Sequence, residues 1–458
     1  MLSEKSNKFN LSQSISIDFD ELSIFKALSK ANIYKRNGTE AKTIFSVIFS
    51  LVFYGRTWNQ LKSSKQSSIF PSKDSVYRFL ANQKFNWRTF LNEVSLKAVT
   101  LVSSLTSERR TKVLIIDDSP INRSRSKKTE MLSTIFDHVS HSYFKGYHLM
   151  TLGWSDGSTF IPIDFSLVAT VKKLINTIDQ TLDKRTIAYK RRVECLCQKN
   201  DLAVEMIRKS LNRGIAASYV LMDSWFTSPK MITQLKEAGI DYIGMIKNTP
   251  KQYFKYGKKS IVLSDLYHHA MKTGKKEFNG KGVLSAISVK TTTGIQMRII
   301  FVTNRNKKNE WLAIGTSDMS LCDEEIIRLY EYRWSIEVFF KTIKSVYHLE
   351  KEFHVNSFDS LIAHTTIVFT RYIVSNWEIR KNNDDRTIGE LFYLMCDEVR
   401  ESTFMEALMT LLAILEDIRT CIDEKASKYM DKLVENWKEQ LPQWMQESLF
   451  LSSPLLSI

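Results

Sequence analysis

The order of apolar and polar positions divides the chain into stretches of different period. Over Asp20 to Ala31, Ala41 to Tyr54 and Asp74 to Asn82, apolar residues recur three to four positions apart, which predicts helices. Ser72-Lys73-Asp74 stands where a cap is expected, and the helix after it displays Tyr77 and Arg78, suited to a DNA groove; a plain helical bundle explains the same pattern. At Lys112 the period changes. Val113-Leu114-Ile115-Ile116 is a continuous apolar run, typical of a strand covered on both faces, and it ends in Asp117-Asp118-Ser119-Pro120. Tyr147 to Trp154 and Thr159 to Val168 read as strands joined by the turn dipeptide Asp156-Gly157. A long basic helical region is expected over Val171 to Arg213.

Ala217 to Lys247 carries the clearest βαβ pattern. Strand Tyr219-Val220-Leu221-Met222 leads through Asp223 to a helix with Ser228 as cap, Pro229 in its first turn and Gly239 at its end, and strand Tyr242 to Ile246 follows. About 255–316 is strand-rich, with strands over Ser285 to Lys290, Ile295 to Thr303 and Trp311 to Gly315. Helix dominates afterwards. The class is therefore α/β, in a chain of 458 residues long enough for more than one domain. The pattern divides it into a helical region over 1–110, an α/β domain over 111–350 and a helical region over 351–458.

Composition changes the picture in one respect. With 43% hydrophobic residues, 15 Gly and 7 Pro the chain has core material and is neither fibrous nor disordered. Its 65 Lys and Arg stand against 50 Asp and Glu, a net +15, and the excess is uneven. Residues 384–458 hold 7 basic and 15 acidic side chains, leaving 58 against 35 elsewhere, so a basic body meets an acidic tail and a polyanionic partner is favoured. The five cysteines are irregularly spaced, which argues against a disulfide framework or a zinc ribbon and fits a cytoplasmic setting. His138, His141 and His148 have no partnering Cys or HExxH pattern, so zinc is not expected there. Lys184, Arg185, Lys190, Arg191 and Arg192 read as contacts to a nucleic-acid backbone. The longest apolar stretch, Ile44 to Tyr54, is too short to span a bilayer, and no membrane role is expected.

The most informative segment is Tyr330 to Lys344. On a wheel of about 100° per residue with Tyr330 as zero, Arg333 falls at roughly −60°, Glu337 at roughly −20° and Lys344 at roughly −40°. Tyr332, Ile336, Phe339, Ile343 and Val346 take the opposite side, which packs on a sheet. One acid thus stands among cations. Asp118 and Asp223 each follow a buried strand, and strand C-terminal ends are where α/β sheets build sites. Three converging carboxylates suit a pair of hard divalent ions that stabilise both oxygens of an in-line phosphoryl displacement.

The spacing Tyr330-x2-Arg333-x3-Glu337-x6-Lys344 resembles the Tyr-Arg-Glu-Lys signature of DDE transposases of the insertion sequence 4 family, enzymes with an RNase H-like catalytic core. The segments around Asp118, Asp223 and Trp311 also resemble that family's blocks, so the likeness covers roughly residues 110 to 380. It implies an RNase H-like core over 111–350 with a β-strand insertion before the helix of Glu337, flanked by helical regions. Asp118, Asp223 and Glu337 would hold two Mg²⁺ (or Mn²⁺) ions, with Asp117 the rival to Asp118; the family sets its first ligand before a hydroxyl residue, here Ser119. Tyr330, Arg333 and Lys344 would contact phosphates of the transposon end, and Trp311 would stack a flipped base. The implied substrate is double-stranded DNA, both terminal inverted repeats and target, held by a homodimer for which the helical C-terminal region is the candidate contact. A non-catalytic DNA-binding relative and a nuclease without strand transfer are the alternatives.

Overall fold

Val113-Leu114-Ile115-Ile116 opens strand β1 (Val113–Asn122), and all four side chains are fully buried because helices cover both sides of the sheet. The computed structural model describes residues 11–63, 70–137, 141–273, 282–304, 307, 310–349, 351–353, 355–383 and 385–441. The chain divides into two compact units, Met1–Phe392 and Tyr393–Ile458.

In the first unit, helices α1 (Gln13–Glu21), α2 (Ile24–Lys30), α3 (Ala41–Ser50), α4 (Trp58–Lys62), α5 (Lys73–Leu80) and α6 (Trp87–Ser104) precede β1. The predicted hairpin is β3 (Ser142–Ser155) and β4 (Phe160–Val168), with β2 (Ser133–Asp137) added to the outer part of β3. Its turn needs Gly157, whose φ is +86° and beside which the ring of Tyr332 leaves no room for a Cβ. Next come α7 (Ile187–Cys195) and α8 (Lys199–Asn212), then the βαβ unit β5 (Tyr219–Met222), α9 (Pro229–Glu237) and β6 (Asp241–Ile246). As the sequence predicts, Ser228 Oγ caps α9 by accepting from Met231 N–H, Pro229 fills its first position and Gly239 follows its end with φ +76°. The long helical stretch expected from Val171 is shorter: 174–186 contains no helix.

Strands β7 (Tyr253–Tyr256), β8 (Lys259–Val262), β9 (Val283–Thr291), β10 (Gln296–Thr303) and β11 (Trp311–Thr316), with α10 (Leu263–Thr273), follow β6. Among the described residues one sheet runs β2-β3-β1-β5-β6-β11-β10-β9-β7-β8, with β4 on the same edge of β3 as β2. β1, β5 and β6 are mutually parallel and the other pairs antiparallel. Helices α11 (Asp323–Glu331) and α12 (Trp334–Ser345) lead to α13 (Phe358–Asn382), which is buried on every side from Phe358 to Trp377 among α6, β4, α12 and the N-terminal helices. α14 (Ile388–Cys421) passes into the second unit. There α15 (Glu424–Glu439) starts at an Asp423 cap, and Arg419 pairs with Asp431 at 3.0 Å. Among the described residues no helix is long and apolar enough to cross a membrane.

Candidate active site

Ile116 of β1 lies beside Met222 of β5 in parallel register, so the next residues, Asp117 and Asp223, arrive at one level of the sheet. β5 stops there, and Asp223 Oδ1 accepts from the backbone N–H of Trp225 (2.9 Å) and Phe226 (3.1 Å). β1 does not stop at its two acids. It continues paired with β3 to Asn122, which accommodates Pro120 because β5 has ended and that side of β1 has become an edge.

The third contributor is the junction of α11 and α12. Tyr330 lies in the last turn of α11 and Arg333 precedes α12, so two helices stand where one continuous wheel is predicted. Across the junction the bonds are of the i to i+3 kind: Arg333 N–H to Tyr330 O at 3.1 Å and Ile336 N–H to Arg333 O at 3.2 Å. This tighter winding brings residues three apart into line, so Tyr330 and Arg333 still share a side. The apolar side behaves as the sequence predicts. Ile336, Phe339 and Ile343 are buried, and the Phe339 ring sits 5.2 Å from Phe160, 4.9 Å from Phe369 and 4.8 Å from Tyr372. Anchored there, α12 turns its polar side toward β1.

Arg333 joins the pieces. Its guanidinium donates to Asp117 Oδ2 at 3.1 Å and to Glu337 Oε1 at 2.5 Å, so two carboxylates 220 positions apart in sequence share one cation. About two turns beyond Glu337, Lys344 Nζ donates to Ser119 Oγ (2.7 Å) and to the Pro120 carbonyl (2.6 Å). The Tyr330 hydroxyl is buried beside Arg333, whose guanidinium lies 5.8 Å from the Tyr330 ring centroid. Burial pushes the Asp117 carboxyl up to about 7, with the Asp223 charge adding and Arg333 opposing. Burial also raises Asp223; the N–H groups of Phe226 and Trp225 and the charge of Arg333 oppose, while the charge of Asp118 adds.

Asp118, the sequence's first choice, is close enough for its charge to act on Asp223 but does not share the Arg333 cluster. One residue of register puts its side chain on the opposite face of the sheet from Asp117. There Oδ2 accepts from Lys199 Nζ (2.9 Å) and contacts His148 Nδ1 (2.9 Å). Burial works to raise the Asp118 carboxyl, but His148 and Lys199 together hold it below the usual carboxylate range. Lys199 also lies 4.8 Å from the ring centroid of Trp225, which is half exposed. Sequence reasoning missed Lys199 altogether, since nothing near it in the chain marks it. His148 was discounted as a zinc ligand, although its register, two residues from the partner of Asp118 on β3, brings it to that carboxylate.

Trp311 is already stacked. Its ring lies 4.6 Å from that of Tyr267 at an interplanar angle of 16°, with Phe301 edge-on at 5.3 Å, so in this conformation one face is taken by protein. Arg78 is exposed on α5 and donates to its own helix at Asp74 O, while Tyr77 turns inward against Phe353. Arg191 and Arg192, read from sequence as backbone contacts, are buried and bind Glu194, Asp359 and Glu130 instead. His138 lies outside the described residues. Among those residues no group of three or more His, Cys, Asp and Glu side chains is gathered tightly enough to hold a metal ion. Arg333 stands between two of the carboxylates that would do so. The donor set itself, carboxylate oxygens at strand ends, is the kind that hard divalent ions select.

Residues 65–265 match the family model described as DDE superfamily endonuclease. Comparison with curated proteins finds no match. The matched range contains Asp117, Asp118 and Asp223 and ends before Tyr330 to Lys344. The match supports a DDE transposase-like family and a nuclease-type enzyme, a group that acts on DNA and uses divalent ions. A mixed α/β unit with one large mixed sheet fits an RNase H-like nuclease of that kind.

Proposed function

We propose that this chain is a transposase, cleaving the ends of a DNA element and joining them to target DNA at a site built from Asp117, Asp223 and Glu337. The observation that carries the reading is the double ion pair of Arg333, which draws Asp117 and Glu337 to one guanidinium whose charge also acts on Asp223. Asp117 replaces Asp118 as the first carboxylate because it shares a sheet face with Ser119 and the polar side of α12. These three side chains would hold Mg²⁺ or Mn²⁺, which supplies activation of a hydroxyl nucleophile and stabilisation of the leaving oxygen.

The chain's own groups bind and orient the DNA. Arg333 offers a phosphate a two-pronged donor, Lys344 a point charge, and the buried Tyr330 hydroxyl a neutral donor. Homodimerisation is part of the proposal, since two ends must be held together; Leu411, Ile414 and Ile418, exposed at three-to-four spacing on α14, support it. A nuclease that hydrolyses without joining is the second reading, favoured by the endonuclease description of the matched family.

The test uses purified full-length protein with duplex DNA carrying the element's ends, a supercoiled plasmid and Mg²⁺ or Mn²⁺. Cleavage that requires the ion and disappears in Asp223→Asn and Glu337→Gln, with joined products in the plasmid, is expected. Cleavage without joined products would select the nuclease reading, and full activity in both variants would sink the site.

A further inference from the structure

Beyond the level of β5, the ribbon of β1 and β3 projects outward and ends in a run the function so far leaves unused, Arg123-Ser124-Arg125-Ser126-Lys127-Lys128. Four of its six residues are basic and none is acidic. The run is held in place. Arg123 N–H extends the β1–β3 ladder to Lys145 O at 2.7 Å, and Lys145 Nζ donates to Ser126 O at 2.8 Å. Asn176 Nδ2 donates to Lys127 O (3.1 Å) and Thr129 O (2.7 Å), which ties the segment carrying Lys172 and Lys173 to the run. Lys173 Nζ stands 3.8 Å from the ring centroid of Tyr143, itself 61% exposed.

Arg125, Lys127, Lys128 and Lys172 are exposed, and none has an acidic partner among the described residues. Glu130, the acid that follows the run, is engaged by Arg192 and the Phe358 N–H. Like charges gathered without counter-charges repel one another, an arrangement relieved when a polyanion displaces their counterions. Tyr143 and Lys145 lie four and two residues before Tyr147, the cross-strand partner of Ile121, so they occupy the same sheet face as Asp117 and Ser119. The surface and the carboxylate site therefore share one side of the ribbon, with Lys344 anchored between them.

We infer that Arg125, Lys127, Lys128, Lys145, Lys172 and Lys173, with Tyr143, form a second docking surface that follows the backbone of a DNA duplex leading away from the carboxylate site. Thr151 pairs with Asp117, and from there Lys145 is six residues and Tyr143 eight along β3. At about 3.4 Å per strand residue these separations are roughly 20 and 27 Å. With about 3.4 Å per base pair the contact falls roughly six to eight base pairs from the bond at the carboxylates. The position rests on the proposed cutting site; the binding does not.

Full-length protein in EDTA, titrated against a fluorescent duplex from 50 to 300 mM KCl, tests the binding. The comparison is with Arg125→Ala/Lys127→Ala/Lys128→Ala/Lys172→Ala, all surface positions, with an unchanged melting curve checked first. The expected result is a drop of tenfold or more in affinity at 100 mM KCl and a log–log salt slope shallower by about two to four, near one per lost phosphate contact. A second readout needs no variant: acetylation of Lys127, Lys128 and Lys172 in the native protein should fall at least threefold when duplex is bound. An unchanged slope together with unprotected lysines would overturn the inference, as would equal binding and equal losses on double-stranded RNA. If Mg²⁺-dependent cleavage persists while slope and protection are unaffected, the docking surface fails and the cutting site stands. If slope and protection behave as expected but no ion supports cleavage, the surface stands and the transposase reading fails.

Discussion

At the scale of single residues the choice between Asp117 and Asp118 separates two roles that composition cannot distinguish. Both are carboxylates at adjacent positions of one strand, and the pleat sends them to opposite faces. Asp117 meets Arg333 beside Asp223; Asp118 meets Lys199 and His148. Asp117→Asn preserves shape and removes the charge that faces Arg333, so divalent-dependent cleavage should fall by at least about a hundredfold, the size of a lost electrostatic contact to reacting groups. Asp118→Asn keeps an oxygen for Lys199 and His148, and its loss should stay within about tenfold. Rates of single-turnover cleavage of the two variants on one duplex give the comparison, and a larger loss for Asp118→Asn would return that residue to the first place.

Elements divide according to how local their causes are. The β3–β4 hairpin, the cap and stop of α9 and the buried stripe of α12 were legible because Asp156-Gly157, Ser228-Pro229, Gly239 and the Ile336, Phe339, Ile343 spacing act within a few residues. The site was legible in its residue types and less so in its register. That β1 runs on to Asn122 depends on β3, more than twenty residues downstream, and the closed face of Trp311 depends on Tyr267. Arg191 and Arg192 misled for the same reason, since basic residues in sequence look solvated until their partners from other elements are known. The partners of Arg191 are instructive. Glu194 of α7 accepts from Arg191 (3.0 Å), Arg88 of α6 (2.8 Å) and Ser166 of β4 (2.6 Å), so one carboxylate ties three elements. Burial works against its charge, yet the two arginines outweigh it and hold the carboxyl down at about 2. A depressed acid contributes stability above its unfolded pKa, near 4.5, and loses it as pH falls toward about 2. Glu194→Gln should therefore cost about 3–5 kcal/mol at pH 7, where buried arginines lose their counter-charge. In urea melts the gap between native protein and variant should narrow from pH 4.5 to pH 2; a gap independent of pH would assign the cost to packing.

Across the first unit as a whole, the N-terminal helices, the segment after α12 and the central α13 are bound by a single buried side chain. Arg371 of α13, fully buried, donates to Phe49 O (2.8 Å) and Ile48 O (2.5 Å) at the C-terminal end of α3, and to Tyr347 O (3.2 Å) and Glu352 (2.8 Å) beyond α12. Ile48 O already accepts from the Leu51 N–H where the chain runs on into a 3-10 turn over Leu51–Tyr54, so the guanidinium adds a charged donor to the partly negative end of α3. Glu352 in turn contacts His364 at 2.6 Å, which leaves its charge dependent on α13 from two sides. Arg371→Met keeps much of the side-chain volume but strands Glu352 and three carbonyls without that donor. The expected cost is about 3–5 kcal/mol, as for other broken buried pairs. Because Tyr347 lies two residues past the end of α12, the same change loosens the end of the helix that carries Glu337 and Lys344. At a temperature where the variant is still folded, DNA cleavage should decline more than DNA binding, since the exposed basic surface on the β1–β3 ribbon does not depend on α12. Far-UV circular dichroism and tryptophan fluorescence should lose their signals at one common, lowered midpoint. Two separated midpoints would mean that the N-terminal helices and the sheet fold as independent bodies, with Arg371 only decorating their contact.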